Sequence, residues 1–499
     1  MRFVQNIKIA LVALVAMMAT TSCITEESVP NSEREKISLD AWIRLNRPDL
    51  VDNYQEEGGY YVEILEGDKN ENIPAKDNDF GSEPLMEQDT CWVYTNMTGR
   101  DINGTICLTR NGHLAEMCGT FSYSTHYVPY INYCGSNNMG LLEGTYLSMR
   151  HELKIGEGTY KMRRGSKVRL YLPSTIAYGT NGSTTEGGYE GQYSLDASRP
   201  LILDIEVLGA LKNPSEKELD MVRSYIGYED VWTQALKPES EKTDENDDLK
   251  LKGLYYTLKF NPASDNAYSY RYIQPHLEGT NNPYEDDKKY FSMPHLNSQI
   301  NDILLKRFGK GLTQEEISEE NQVTKDGRAN VWYILRFLDG FVVDTNIAEI
   351  RTLIFNETAP ECEVFSYSPS DDEGKGADED RQAIGAWYYC IPYMHFGAYG
   401  QIITTSGYAY GASGISGATT TESSSSSSDY YNAMNYYNYY NYYNSYYNYY
   451  NPYYNYYDYN YYNYNYNTSD EEDTTTTTIS TEILPYTPLV FTIFVEPNE

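Results

Sequence analysis

The chain has 499 residues and a formal net charge of −34, from 38 Lys and Arg against 72 Asp and Glu. Single domains cluster at about 100–200 residues, so this length predicts two or three of them. So acidic a chain argues against a nucleic-acid partner, because phosphates require a basic surface.

The amino-terminal residues 1–23 have the pattern of an export signal. Arg2 and Lys8 supply positive charge, and the apolar run at 9–18 is too short to span a bilayer. Small polar residues then lead to Cys23, and the whole resembles a bacterial lipoprotein signal, in which the Cys is acylated. We expect lipidation at Cys23, membrane attachment through the lipid anchor only, and location in the cell envelope of a Gram-negative bacterium, with the outer membrane favoured. A plain secretory signal is the alternative.

The remaining cysteines and the six histidines give no sign of a metal site. No C-x-x-C pair occurs and the histidines show no ligand spacing, so neither a metal nor a cofactor is expected. An oxidising envelope would permit disulfides. Cys118 and Cys134 are candidate partners across a loop, with buried free thiols as the alternative.

The first domain is predicted over 53–212, after a polar spacer at 24–52 that runs into a short helix near residues 41–43. Aromatic and branched residues at 59–65 predict its first strand. The dipeptide Asn103-Gly104 between two apolar runs predicts a hairpin. A final strand is predicted at 200–207.

The same order of elements recurs in the second half, which predicts two related domains. Between them, at 213–250, we expect a helix that begins at Asn213-Pro214 and a charged linker. The second domain, 251–499, repeats the strand, then an Asp339-Gly340 turn and a last strand. It also has the apolar spacing of an extra helix near residues 300–308.

Residues 404–480 break the composition of the second domain. They hold a run of Ser, then Tyr-Tyr-Asn repeats and an acidic, Thr-rich stretch, and much of the chain's 53 Tyr falls here. Since no apolar periodicity survives, we predict a disordered insertion before the last strand. Tyr supplies contact area at low entropy cost, so the insertion is either a contact element for a partner or sugar, or a low-complexity expansion.

One motif in the first half resembles a known enzyme family. Residues 161–179 read Lys-Met-Arg-Arg-Gly, a basic strand and then Pro-Ser-Thr-Ile-Ala-Tyr-Gly, which is similar to the FKBP-type peptidyl-prolyl cis-trans isomerases. In the second half, residues 333–344 fit the family's Tyr-x-x-x-x-x-Asp-Gly-x-x-Phe-Asp pattern. The resemblance covers about 59–210 and 253–499.

The resemblance implies an α+β fold with two FKBP-like domains, each an antiparallel twisted sheet wrapped around a short helix. In the first domain we expect that helix near Ile155–Met162. Rotation about an X-Pro bond breaks amide resonance, a barrier of about 18–20 kcal/mol. An apolar, aromatic-lined pocket favours the twisted amide, and a few donors hold its ends, so no metal or proton transfer is needed.

The implied function is a peptidyl-prolyl isomerase or folding helper of the envelope, without a cofactor, that acts on proline-containing exported polypeptides. The alternative is a non-catalytic surface lipoprotein that uses degenerate FKBP-like domains to bind protein or glycan. Fold resemblance alone does not decide between them.

The resemblance places the second domain's catalytic residues at Tyr333, Asp344, Tyr399 and Phe491, with Val343 where the family has Phe. For the Ala-Tyr-Gly tyrosine, spacing favours Tyr399 over the later Tyr410.

In the first domain the corresponding tyrosine is Tyr178. The other pocket positions hold substitutions: Met97 for the strand Tyr, Cys107 and Leu108 for the Phe-Asp pair, Ile155 for the floor Trp and Leu203 for the last-strand Phe. Loss of the Asp and of three aromatic side chains predicts a shallower cleft with weaker anchoring.

Overall fold

The structure is a computed structural model with an α+β architecture, as predicted. Two antiparallel seven-stranded sheets form its two halves. The structure describes residues 31–66, 74–75, 77–121, 125–183, 195–227, 231–238, 241–242, 249–263, 294–324, 327–355, 364–368, 384–415, 418–422 and 476–498.

The first half contains one large sheet and a small hairpin. The sheet consists of β1 (Tyr54–Gln55), β2 (Tyr60–Glu66), β3 (Trp92–Arg100), β4 (Ile106–Thr109), β5 (Tyr130–Tyr133), β8 (Lys167–Leu172) and β9 (Leu201–Leu211), and the hairpin of β6 (Leu153–Ile155) and β7 (Gly158–Tyr160).

The second half has the same composition of strands. The sheet consists of β10 (Thr233–Leu236), β11 (Lys250–Thr257), β12 (Ala329–Phe337), β13 (Val342–Thr345), β14 (Phe365–Tyr367), β15 (Tyr399–Thr404) and β18 (Leu489–Pro497), and the hairpin of β16 (Ala418–Glu422) and β17 (Thr476–Ser480).

Helices flank both sheets. The α-helices are α1 (Asn31–Asn46), α2 (Gly112–Met117), α3 (Glu143–Arg150), α4 (Pro214–Ile226), α5 (Pro294–Phe308), α6 (Ala348–Phe355) and α7 (Gly385–Cys390), and single 3-10 turns lie at Pro48–Asn53, Leu85–Glu87, Ser174–Ile176, Glu319–Asn321, Ile391–Tyr393 and Ser406–Tyr408.

The two large sheets have the same strand order. The first sheet runs β1-β2-β8-β9-β3-β4 with β5 also paired to β3, and the second runs β10-β11-β15-β18-β12-β13 with β14 paired to β12. Both Gly turns between paired strands are present as predicted, with Gly104 at φ 91° and Gly340 at φ 96°, a region that favours glycine. The two halves therefore have the same sheet topology, and their description as two related domains stays a prediction.

Each sheet is covered on its outer face by the helix that precedes it. In the first half, Leu39 and Ile43 of α1 pack on Tyr61 and Tyr171 of the sheet. In the second half, Val222 of α4 packs in the same way on the outer face. The helix expected near residues 41–43 is therefore present, but it is longer than predicted and is part of the folded first half.

A buried glutamate fixes each of these helices to a 3-10 turn. Glu35 of α1 accepts hydrogen bonds from the backbone N–H of Ser174, at 2.5 Å, and from the Ser174 hydroxyl. Glu218 of α4 accepts the same two bonds from Ser406, both at 2.7 Å. Burial raises the pKa of Glu218 to about 7.

Two sequence-based expectations need correction. The short helix of the first half is α3, and the stretch expected to be helical near Ile155–Met162 is largely the β6–β7 hairpin, whose turn has Gly156 at φ 57°. The stretch 404–415, assigned to the disordered insertion, is folded, and β16 and β17 pair with each other. Most of the Ser/Tyr/Asn-rich stretch, 423–475, lies outside the described residues. The expected helices at Pro214 and near 300–308 are confirmed.

Candidate functional site

Strand register aligns the two halves residue by residue. Leu203 of β9 pairs with Gly99 of β3, and Phe491 of β18 pairs with Leu335 of β12. Gly99 and Leu335 each lie five residues before a turn glycine, Gly104 or Gly340. Leu203 and Phe491 therefore occupy equivalent positions in the two sheets.

Counting two residues back along β3 and β12 from those partners makes Met97 equivalent to Tyr333. The neighbouring strands show the same register, because Gly99 pairs with Leu108 and Leu335 pairs with Asp344. Cys107 is thus equivalent to Val343. All these substitutions stand at the positions that the sequence predicted, while their roles in catalysis stay predictions.

The second half has an aromatic cluster built around Trp387 of α7, which forms the floor of the candidate site, named here the second cleft. The Trp387 ring lies edge-on to Tyr333, Phe365 and Phe491, with centroid distances of 5.3, 4.9 and 5.6 Å and interplanar angles of 72°, 86° and 76°. Such edge-to-face pairs contribute about 0.5–1.5 kcal/mol each beyond area burial. Trp387 and Phe491 are buried, whereas Tyr333 and Phe365 are half-buried and form the accessible part of this floor.

A carboxylate orders the polar edge of the same cleft. The Tyr333 hydroxyl donates to Asp344 Oδ2 at 2.6 Å, and Arg351 Nη1 of α6 donates to Asp344 Oδ1 at 2.9 Å. Arg351 is 8% exposed and Asp344 36%. The half-exposed carboxylate is therefore neutralised from the protein side and can accept a further hydrogen bond from the solvent side.

The cleft tyrosine of the Ala-Tyr-Gly motif is Tyr410. In each half a 3-10 turn places an Ala in an unusual backbone conformation, Ala177 at φ −121°, ψ −113° and Ala409 at φ −130°, ψ −105°. The next glycine N–H then donates to the turn's Ser carbonyl, at 2.8 Å in both halves. Tyr178 and Tyr410 follow these alanines directly and are equivalent.

Tyr399, which spacing favoured, is not in the cleft. It begins β15 on the outer face, where its ring packs on Phe494 at 4.9 Å. Its hydroxyl donates to the carbonyls of Leu304 and Gly309 at 3.1 and 3.0 Å. This tyrosine therefore anchors α5 to the sheet, and the assignment of a catalytic role to it is wrong.

The first half lacks most of this chemistry. Counted from the helix N-caps, Leu142 and Ile384, Thr145 of α3 stands where α7 has Trp387. Thr145 is fully buried. Leu108 replaces the carboxylate, so the Tyr-Asp-Arg arrangement has no counterpart there.

The predicted residues of the first cleft are mainly packed in the core. Cys107 and Leu203 are buried, and Met97 packs against the same cluster. Burial raises the pKa values of Cys107 and Tyr178 to about 12. Ile155 lies in the β6–β7 hairpin and not on the helix, so the floor position assigned to it belongs to Thr145.

Four residues of the second cleft were missed from the sequence. Trp387, one of only five Trp in the chain, was not assigned, and Phe365 and Arg351 come from elements without a motif. Tyr410 was the less favoured of two alternatives, although its Ala-Tyr-Gly context repeats that of Tyr178. The motif was therefore the better signal than the spacing.

Cys118 and Cys134 are both free, one exposed and one buried, so their pairing is wrong. Cys23 lies outside the described residues. In the part of the chain that the structure describes, no group of His, Cys, Asp and Glu is arranged to hold a metal ion. No helix within the same ranges is both long and apolar enough to cross a membrane.

Comparison with known proteins gives fold neighbours of one kind. No family model and no curated protein matches the chain. Among solved structures, FkpA from Escherichia coli is 16% identical with a TM-score of 0.22, over 42% of this chain and 73% of its own. The three FKBP domains of wheat FKBP73 are 10% identical with a TM-score of 0.19, over 89% of this chain and 95% of theirs.

A peptidyl-prolyl cis-trans isomerase from Pseudomonas syringae pv. tomato is also similar, at 16% identity and a TM-score of 0.22, over 37% of this chain and 98% of its own. Because all these TM-scores are low, the function of this chain has to be derived from the residues of its own clefts.

Proposed function

We propose that the second half is a peptidyl-prolyl isomerase domain that binds an X-Pro segment in the cleft over Trp387. The observation that carries this proposal is the aromatic floor of Trp387, Tyr333 and Phe491 beside the ordered carboxylate of Asp344. A proline ring is apolar and flat enough to pack on such a floor, and burial there removes water from the preceding carbonyl.

The chemistry asks little more of the protein. The twisted amide has less charge separation than the planar one, so a dry apolar cleft favours it over the ground state. The polar edge at Asp344 then orients the peptide backbone, and Arg351 holds that carboxylate in place. No group needs to change its protonation state during the rotation.

The experiment is cis/trans exchange of a short X-Pro peptide, measured by NMR with the purified mature chain. Tyr333→Ala, Asp344→Ala and Trp387→Ala should each lower the exchange rate. Leu45→Ala is the control, because this side chain is exposed on α1 and its truncation should leave the rate unchanged. Exchange with the native chain no faster than without protein would refute the proposal.

The second candidate function is binding without catalysis. It is favoured by the first half, where Met97, Cys107, Leu108 and Leu203 occupy the equivalent positions and supply neither the carboxylate nor the aromatic side chains of the second half. On this hypothesis the exchange rate stays at the uncatalysed value while a proline-containing peptide still quenches Trp387 fluorescence. Deletion of the insertion between β16 and β17 would show whether that segment contributes to the retention of a protein or glycan partner, because retention should then be lost.

We propose further that the protein is a lipid-anchored component of a Gram-negative cell envelope, acting on proline-containing exported polypeptides. The charged, apolar and small-residue pattern that ends at Cys23 supports this. Metabolic labelling with a radioactive fatty acid tests it: Cys23→Ser should abolish the label, and label retained in that variant would contradict the anchor.

A further inference from the structure

A buried polar cluster joins the two halves beside Tyr130 of β5. Arg110, which follows β4, donates to Glu482 of the second half, and its guanidinium lies 3.7 Å from the centroid of the Tyr130 ring. Arg110 also donates to the His126 carbonyl at 3.1 Å. The side chains of Arg110 and Glu482 are only 5% and 14% exposed, so this ion pair is largely shielded from water.

The position of Tyr130 shows which part of the first half is covered. Tyr130 pairs with Thr95 of β3, and Phe365 pairs with Val331 of β12. In the alignment given by the strand register, Tyr130 is therefore the counterpart of Phe365, a lining residue of the second cleft. The Arg110–Glu482 pair consequently lies beside the counterpart of a residue that lines the second cleft.

A second contact fixes the same interface. His126 Nε2 lies 2.6 Å from Asp339 Oδ2, in the turn between β12 and β13. The His126 ring stacks on Phe337 at 4.3 Å and contacts Phe341 at 4.7 Å. A further aromatic contact joins Trp92 and Tyr486 at 4.8 Å. The segment 481–486 is thus held on the first half at both of its ends.

The same segment supports the wall of the second cleft. Ile483 exchanges both backbone hydrogen bonds with Ile415, at 2.8 and 2.9 Å, and the N–H of Tyr486 donates to the Gly411 carbonyl at 3.3 Å. Gly411 follows Tyr410 directly. A short path of hydrogen bonds therefore leads from Arg110, in the first half, to the Tyr410 wall of the second cleft.

We infer that the first cleft is a docking site for the segment 481–486 of the same chain, and that Arg110 is a positioning residue for the Tyr410 wall of the second cleft. The substitutions at Met97, Cys107 and Leu203 agree with this, because a cleft that binds its own chain needs shape and a cation rather than a substrate floor. The first half then serves the second by ordering its wall.

Burial explains why the pair acts as a firm link. Arg110 faces Tyr130 and Glu482. Burial raises the pKa of Glu482, and the neighbouring Arg110, His126 and Tyr130 oppose that rise. Removal of one member leaves the other charge buried without its counterion, which is strongly destabilising for the contact. Without the Arg110–Glu482 ion pair, we expect the segment 481–486 to detach from the first half. Its backbone hydrogen bonds to Gly411 and Ile415 should then open more often.

The test uses the full mature chain with Arg110→Met, Arg110→Lys and, as a matched control, Arg100→Met, which removes a more exposed ion pair with Asp204 away from this interface. The first readout is amide hydrogen exchange of Ile415 and Ile483, which needs no substrate. Arg110→Met should raise these exchange rates about tenfold or more, Arg110→Lys should retain much of the protection, and Arg100→Met should leave it unchanged.

The second readout is X-Pro isomerisation, and it alone rests on the proposed function. Arg110→Met should lower kcat/KM about tenfold, mainly through KM, because the wall orients substrate without taking part in the rotation. Native-like amide exchange in Arg110→Met would overturn the inference, whatever the activity. If the native chain shows no isomerase activity while Arg110→Met still raises amide exchange, the docking holds and the proposed function fails.

Discussion

Glu218 should make the stability of the second half depend on pH, in a direction opposite to that of an ordinary salt-bridged carboxylate. Burial raises its pKa from the usual 4.5 to about 7 in the folded chain. A carboxyl whose folded pKa is raised contributes stability that is fully present below about pH 4.5 and is lost as the pH rises through about 7. The Ser406 hydrogen bonds oppose the shift without cancelling it.

The magnitude follows from the two pKa values. The difference between 4.5 and about 7 corresponds to about 3 kcal/mol between the acidic and the alkaline limit. Glu218→Gln keeps an acceptor for Ser406 and removes the titrating carboxyl group. As the pH rises from 5 to 8, the free energy of unfolding of the variant should therefore increase relative to that of the native chain by up to about 3 kcal/mol.

The assay is urea unfolding of both proteins at several pH values, followed by Trp fluorescence. Other titrating groups cancel when the native free energy of unfolding is subtracted from that of the variant at each pH. Glu216→Gln is the control, because Glu216 is exposed on the same helix, and its difference should be flat. A flat difference for Glu218→Gln as well would refute the reasoning.

Three further substitutions test the second half. Trp387→Leu should lower the free energy of unfolding by about 2–4 kcal/mol through lost ring contacts and weaken peptide binding; unfolding within about 0.5 kcal/mol of native would contradict the described floor. Gly253→Ala should destabilise by more than about 1 kcal/mol, because φ is +84° and the new Cβ would lie 2.6 Å from Thr405 Cγ2; an unchanged melting temperature would exclude that strain. Arg351→Met should lower kcat/KM several-fold with little loss of stability, because Asp344 is partly exposed; an unaltered kcat/KM would show that this carboxylate needs no support.

Much of the fold could be predicted because its signals are local. The turn glycines, such as Gly104 and Gly340, occupy a positive φ that few other residues adopt, and the N-cap of α4 is an Asn followed by Pro. Alternating runs then fixed the paired strands of both halves. Repetition of this order along the chain revealed the duplication.

The cleft was harder to predict because its residues meet only through tertiary structure. Trp387, Phe365 and Arg351 come from three elements and touch their partners across the sheet, a relation that no spacing encodes. The assignment of a catalytic role to Tyr399 was wrong for a related reason. Sequence spacing does not show which face of a strand a residue lies on when the start of the strand is unknown, because a shift of one residue reverses the face. The helix misplaced onto the β6–β7 hairpin reflects the same limit.

The pairing of β16 with β17 has an evolutionary consequence. Those strands bring the two ends of the intervening stretch together, five residues on each side, so whatever lies between them enters and leaves the domain at one place. The entropic cost of closing a flexible loop grows only logarithmically with the number of residues, at about 0.6 kcal/mol for each doubling. Residues added between β16 and β17 therefore carry little penalty for folding, so this place tolerates changes of length during evolution.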